Sequence, residues 1–442
     1  MRPKLSILSV VVVLLVPLQT GLAAQPAAEP GVLAIEGGRI ITMAGEPIEG
    51  GTVLVSEGKI RAVGQTVEIP AGARRIDARG KTVIPGLVDA FSRLYVYPQE
   101  LMEGTQIAPE LRITDGVDPY DEDGAEVLQH GVTSVHAVPG SRSLLGGLSG
   151  VLKVAPEPGP LTVVSDGVAV RGQIGVPAGN STSSLHRLAT YASIREALLA
   201  TRDYLWTWRK YERDLAQYEK RTEGNGKDGN GEGRKEQKPK GEKPDRPRKP
   251  STDPGSEVLA RVLREEVPLQ IEAHRVADIL NALRLKDEFD IELILLGCSE
   301  GHKIPGEIAK REVPVIVAPV SLSFVPPSRL KYGEHSRANA AVLADAGVEI
   351  ALGVGGSKGL HSKFVRACAA VAAANGLGRD LALRAVTANA AEILGVSDRV
   401  GILAEGKDAD IAIIGGEPLD IRSKVEMVIV DGAVAFERGA GD

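Results

Sequence analysis

The sequence predicts an α/β chain: a (β/α)8 TIM-like barrel flanked at both ends by strand-rich segments. Three observations carry this. At 442 residues with 43% apolar content, the chain is long enough for one barrel of about 250 residues and a small second unit. Across residues 85–397 short apolar runs alternate with amphipathic stretches of helix length, as a barrel of repeated strand–helix units requires. At each end, short β-branched runs are separated only by Gly or Pro turns, which is the pattern of a small antiparallel sheet.

Residues 1–24 stand outside that fold. Arg2 and Lys4 precede a mostly apolar run through Leu18, and Gly21, Leu22, Ala23 and Ala24 supply a small-residue cleavage region, so the segment reads as a secretory signal peptide. The run is short for a bilayer span. An exported protein, periplasmic or secreted, is therefore expected, with no membrane span after cleavage. Losing Arg2 and Lys4 takes the formal charge from −6 to −8, a balance that favours solubility and argues against a nucleic-acid partner.

The first strand-rich region, residues 32–84, contains Arg39 to Thr42, Gly51 to Val55 and Lys59 to Gly64. In the barrel region the best strands are Gly131 to Val135, Leu269 to Ala273, Ile291 to Leu296, Val313 to Val317 and Val348 to Leu352. Helical partners are predicted over Val276 to Glu288, Gly306 to Arg311 and Ala338 to Ala346. Tyr191 to Lys220 reads as a long helix carrying both tryptophans, Trp206 and Trp208, either packed on the barrel's outside or offering a partner or substrate surface. After it, residues 221–252 form a charged insert. Residues 221–250 hold ten Lys or Arg against six Asp or Glu and no Val, Ile, Leu, Met or aromatic residue. Such a stretch cannot bury enough apolar surface to offset its ordering entropy and is expected to be disordered. The only cysteines, Cys298 and Cys368, read as buried small apolar residues rather than a disulfide.

The run Val83-Ile-Pro-Gly-Leu-Val-Asp-Ala-Phe-Ser-Arg-Leu94 resembles the first barrel strand of the amidohydrolase superfamily, which there ends in two metal-binding histidines. The far end adds to the likeness. Arg399 to Ile414 contains Gly401-Ile402, Gly406-Lys407 and Ala409-Asp410, and Val430-Asp-Gly432 follows, similar to the superfamily's closing segment with a spacing one residue longer. The resemblance implies that residues 32–84 and 398–442 join into one composite β-sandwich domain beside a barrel of residues 85–397. It also implies a hydrolase acting on carbon–nitrogen bonds other than peptide bonds, with one or two divalent metals at the C-terminal mouth of the barrel, and possible homodimers.

Taken position by position, the resemblance implies that this metal centre is largely lost. Phe91 and Arg93 stand where the first-strand histidines belong. A phenyl ring has no lone pair, and a guanidinium is a fixed cation that repels a metal. His274, after Leu269 to Ala273, matches the fifth-strand ligand. The sixth-strand histidine is missing around Gly297 or Cys298, with His302 following a few residues later. Gly355 or Gly356 stands at the eighth-strand aspartate, the expected general base. His136 to Lys153 resembles the second- to third-strand stretch of exported imidazolonepropionase-like and dipeptidase-like members, and Lys153 corresponds there to a metal-bridging lysine. No confident catalytic residue remains. Metal candidates are His274, His302 and Lys153, with His335 and His361 as further loop histidines, and Arg93 is the binding candidate. No cofactor is expected, except zinc or another divalent metal if a reduced site persists. A Gly-rich turn over Gly353 to Gly359 offers a weak phosphate cradle. No nucleophile elbow, Walker loop or Cys-x-x-Cys pair is expected. Two functions follow: an impaired hydrolase built around His274, or a non-catalytic binding protein whose mouth takes a small anionic molecule through Arg93.

Overall fold

The computed structural model describes residues 31–96, 107–140, 143–175, 184–224, 245–318, 333–355 and 359–439. The signal segment 1–24 and most of the charged insert, residues 225–244, lie outside the described residues.

Among the described residues the strands form two eight-stranded sheets. The first takes β1 (Val32–Ile40), β2 (Ile48–Ser56), β3 (Lys59–Gly64), β4 (Arg74–Asp77) and β5 (Thr82–Pro85) from the N-terminal side, and β14 (Ile411–Ile414), β15 (Val425–Val430) and β16 (Ala433–Glu437) from the C-terminal side. The two ends meet where β5 pairs antiparallel with β14, Pro85 opposite Ile411 and Thr82 opposite Ile414. Hairpin turns set the register. Glu57 and Gly58 join β2 to β3 with φ of +53° and +73°, and Asp431 and Gly432 join β15 to β16 with φ of +46° and +77°. Two consecutive residues at positive φ match the twist of flanking strands, which is why Gly recurs as the second of each pair. Ile35, Val53, Val55, Ile60, Val83, Ile411 and Ile429 form this sheet's buried core.

The second sheet is a nearly closed barrel. Its strands run in sequence order: β6 (Leu87–Ser92), β7 (Val132–Ala137), β8 (Leu145–Lys153), β9 (Val163–Gln173), β10 (Leu269–Ala273), β11 (Leu293–Gly297), β12 (Val315–Val317) and β13 (Ile350–Leu352). The ends are brought together just beyond the strands, where Gly355 N–H donates to the Phe91 carbonyl at 3.0 Å. One departure from a regular barrel matters below. β8 pairs antiparallel with both β7 and β9. The connections 138–144 and 154–162 are rich in Pro and Gly and too short for the crossover of a dozen or more residues that parallel strands need. A three-stranded meander thus replaces a helical unit.

Along the parallel strands, side chains alternate between two apolar clusters. Leu269, Ile271, Leu293, Leu295 and Val315 pack outward with α4 (Val276–Phe289), while Val88, Ala90, Val151, Ala169, Ile294, Leu296, Ile316 and Ala351 form an inner layer. The predicted long helix is α2 (Ser184–Gly224). It follows α1 (Asp123–Leu128) and precedes α3 (Pro254–Val262), which Asp253 caps by accepting from Ser256 N at 2.8 Å. α2 is held on the barrel flank by Arg195 against Glu288 at 2.7 Å and by Arg202 stacked 4.4 Å from the Phe289 ring. Cys298 and Cys368 are both buried and form no disulfide.

Candidate functional site

The mouth of the barrel lies at the C-terminal ends of β6, β10 and β11. Inward positions there follow the two-residue strand period. On β9 this puts Arg171 and Gln173 on the face of Ala169, and on β10 it puts Gln270 and Glu272 on one line with His274.

These side chains form a connected polar chain inside the barrel. Arg171 Nη2 donates to Glu272 Oε2 and its Nη1 to the Gly172 carbonyl. Glu272 Oε1 lies 3.0 Å from His274 Nε2, and His274 Nδ1 lies 2.9 Å from Ser299 Oγ. All four residues are buried, from 1% to 4% exposed. Arg93 joins the group electrostatically. Burial and the charge of Arg171 pull its guanidinium down to about 10, while Glu272 opposes the shift. It donates to the Val138 carbonyl at 3.2 Å and lies 5.9 Å from the Phe91 ring. Among the described residues it forms no ion pair, and both polar atoms of the Gln173 side chain are buried without a partner.

A neighbouring polar knot ties the first strand to the loop after the eighth. Asp89 accepts from Phe91 N, Val354 N and Ser362 Oγ at 3.1, 3.1 and 2.7 Å, and burial raises its carboxyl to about 6 despite those bonds. Opposite, His136 bonds the Ala90 carbonyl and Ser149 Oγ at 2.9 and 2.8 Å. Burial lowers it to about 4, so it is a neutral strut at physiological pH.

The candidate residues scatter more than the sequence reading implies. His274 does stand at the mouth. Gly355 is there too, but its role is steric: φ is +55°, and a Cβ on it would lie 2.9 Å from Cδ1 of Phe91. The ring thus takes space that an aspartate would need, which couples the two substituted positions. Gly356 to Lys358, the middle of the Gly-rich turn, fall outside the described residues. His302 sits on a 3-10 turn, Gly301–Lys303, with its backbone N–H bonded to Asn339 Oδ1 at 2.8 Å. The His361 ring is turned toward Phe364 at 6.5 Å. Lys153 is at the other end of the barrel. Because β8 runs antiparallel, Lys153 pairs in register with Ser134 near the start of β7. There its ammonium meets Asp410, Asp408 and Asp431 at 2.5, 2.9 and 3.0 Å, not His274.

Among the described residues no three His, Cys, Asp or Glu side chains converge as metal ligands. The donors at the mouth do not fit a divalent cation. The first-strand positions carry a phenyl ring and a guanidinium, a second guanidinium holds Glu272, and His274 is engaged by Glu272 and Ser299.

Arg171, Glu272 and Ser299 escape the sequence reading, although each leaves a trace. Glu272-x-His274 on one strand places both on one face. Gly297-Cys298-Ser299-Glu300-Gly301 is a Gly-x-Ser-x-Gly run, so the expectation of no such run is corrected by the sequence itself.

The amidohydrolase family model matches residues 358–436. An amidohydrolase from Thermotoga maritima is similar over 92% of this chain and 100% of its own, at 29% identity and a TM-score of 0.74. Amidohydrolase tasK of Hapsidospora irregularis is 24% identical over 409 residues, 88% of this chain and 40% of its own length. A dihydroorotase of Anaeromyxobacter dehalogenans is 39% identical over 85 residues, 19% of this chain and 20% of its own. The chain therefore matches well under half the length of these two curated relatives. Together these likenesses support the amidohydrolase superfamily.

Proposed function

We propose that this protein keeps the barrel mouth of its superfamily as a small-molecule site but replaces the divalent metals with fixed guanidinium charge, so that it binds an anionic ligand and does not activate water on a metal. The observation behind this is Arg93. It stands at a first-strand ligand position, shares one electrostatic group with Arg171 and Glu272, and has no carboxylate of its own among the described residues. A half-buried cation without a counterion favours an anion as its partner. We take the protein to be exported, periplasmic or secreted, after loss of residues 1–24, without a nucleic-acid partner and as a homodimer.

Calorimetric titration of the mature protein with small dicarboxylates and phosphate esters tests the reading. Binding is expected, and Arg93→Gln is expected to abolish it while leaving melting unchanged. Failure of the whole panel to bind would refute it. A second reading is a reduced metal site in an altered hydrolase, built around His274. Stoichiometric zinc, manganese or iron that is lost on His274→Ala would establish that reading over the first.

A further inference from the structure

We infer that Ser299, His274 and Glu272 form a metal-free nucleophilic site for acyl transfer. Ser299 is the middle residue of Gly297-Cys298-Ser299-Glu300-Gly301, on the turn between β11 and the 3-10 turn Gly301–Lys303. A Gly-x-Ser-x-Gly run between strand and helix is the setting that presents a serine nucleophile. The turn is tight: Gly297 has φ of +92°, and Cys298, a non-glycine residue, has φ of +48°, a conformation that recurs at functional turns. Gly297 also makes room for the base. A Cβ there would lie 2.4 Å from Cε1 of His274, so only glycine lets the imidazole rest against the serine turn.

The distances complete the constellation. Ser299 Oγ is 2.9 Å from His274 Nδ1, and His274 Nε2 is 3.0 Å from Glu272 Oε1. With the ring proton on Nε2, facing Glu272, Nδ1 accepts the serine proton; Arg171 fixes the other carboxylate oxygen. A nucleophile within reach of a base that a third group orients is the mark of covalent catalysis, whatever the order along the chain. The imidazole nitrogens are used in the reverse sense to the usual serine triad, but either can accept a proton.

The reaction balances without a metal. Ser299 Oγ bonds to the acyl carbon as its proton passes to His274, and the carbonyl electron pair moves to oxygen. Collapse expels the amine or alcohol, which takes that proton, and a water then repeats the sequence to release the acid and restore Ser299. The N–H of Glu300, the common oxyanion donor after a nucleophile, already bonds the His274 carbonyl at 2.9 Å. Positive charge at this mouth comes instead from the guanidinium groups. The acyl substrate is assigned an acidic group, a clause that rests on the Arg93 reading, whereas the nucleophile does not.

Ser299 and His274 are each 2% exposed, so a compact probe is needed. The mature protein is treated with diisopropyl fluorophosphate in chelator: the Ser299 Oγ–phosphorus bond forms, fluoride leaves and His274 takes the proton. One adduct mapped to Ser299 is expected. Ser299→Ala is expected to abolish it with an unchanged melting temperature, and His274→Gln to slow it about a hundredfold or more. No adduct, an adduct elsewhere, or a rate indifferent to His274→Gln would overturn the nucleophile. Labelling of Ser299 that millimolar succinate slows supports the acidic substrate; labelling that succinate leaves unchanged sinks that clause alone.

Discussion

Replacing Lys153 by Met should unfold the junction between the two sheets rather than disturb a metal. The ammonium is 3% exposed and shared by Asp410 at 2.5 Å, Asp408 at 2.9 Å and Asp431 at 3.0 Å. Asp408 keeps Lys59 and Arg399 at 2.5 and 2.8 Å, and Asp431 is 40% exposed. Asp410 has neither refuge: it is 4% exposed, and its remaining bond is from Asp431 N at 3.0 Å. An uncompensated buried charge of this kind costs about 3–5 kcal/mol. At about 2.1 cal/mol/K per residue, this lowers the melting temperature of the 442-residue chain by about 3–5 °C. The loss should depend on pH. Burial already raises the Asp410 carboxyl to about 6, above its ordinary 3.8, so the native state favours the protonated form. That contribution is full below 3.8 and is lost as pH rises through 6. Without Lys153 the carboxyl moves higher still, and the penalty is largest at pH 8 and shrinks toward pH 5. Urea unfolding of both proteins at pH 8 and pH 5 measures this. A loss under about 1 kcal/mol at pH 8, or one equal at both values, would refute the reasoning, and a metal released with Lys153→Met would point to a ligand role instead.

His136 is lowered from 6.5 to about 4 in the folded state, so the unfolded chain binds the extra proton between those values. Stability should fall by about 3 kcal/mol as pH drops from 6.5 to 4, and urea unfolding of His136→Gln should show a flatter profile. Asp89 titrates in the opposite sense: raised to about 6, its contribution is present below 3.8 and lost as pH rises through 6, and Asp89→Asn should remove that slope in the same assay. Gly355→Asp should destabilise by about 2–4 kcal/mol, since φ is +55° and its Cβ would meet Phe91 at 2.9 Å. Adding Phe91→His should recover part of that loss, and strict additivity of the two in chemical denaturation would show that the positions are uncoupled.

What could be read from the residues, and what could not, divides by strand direction and by side-chain partnership. The turn pairs Glu57-Gly58 and Asp431-Gly432 dictate hairpins locally, so the strands at both ends are legible; their meeting at Pro85 and Ile411 is a contact across most of the chain, reached only by resemblance. The long helix and the parallel strands β10 to β13 are likewise written in periodicity. Lys153 shows where local reading fails. By resemblance it corresponds to a metal-bridging lysine, yet which end of the barrel it occupies depends on the direction of β8, which the seven residues 138–144 determine by being too few for a crossover. A strand reversed in this way carries its last residue to the foot of the barrel, where an ammonium serves the two-sheet junction. At the mouth the failure is different. A search for lost histidines finds absences at Phe91, Gly297 and Gly355, but the groups present, Arg171, Glu272 and Ser299, acquire meaning only when β9, β10 and β11 lie side by side. Gly297 then reads in two ways at once: a missing ligand by resemblance, and by its 2.4 Å approach to His274 the residue that lets imidazole and serine meet.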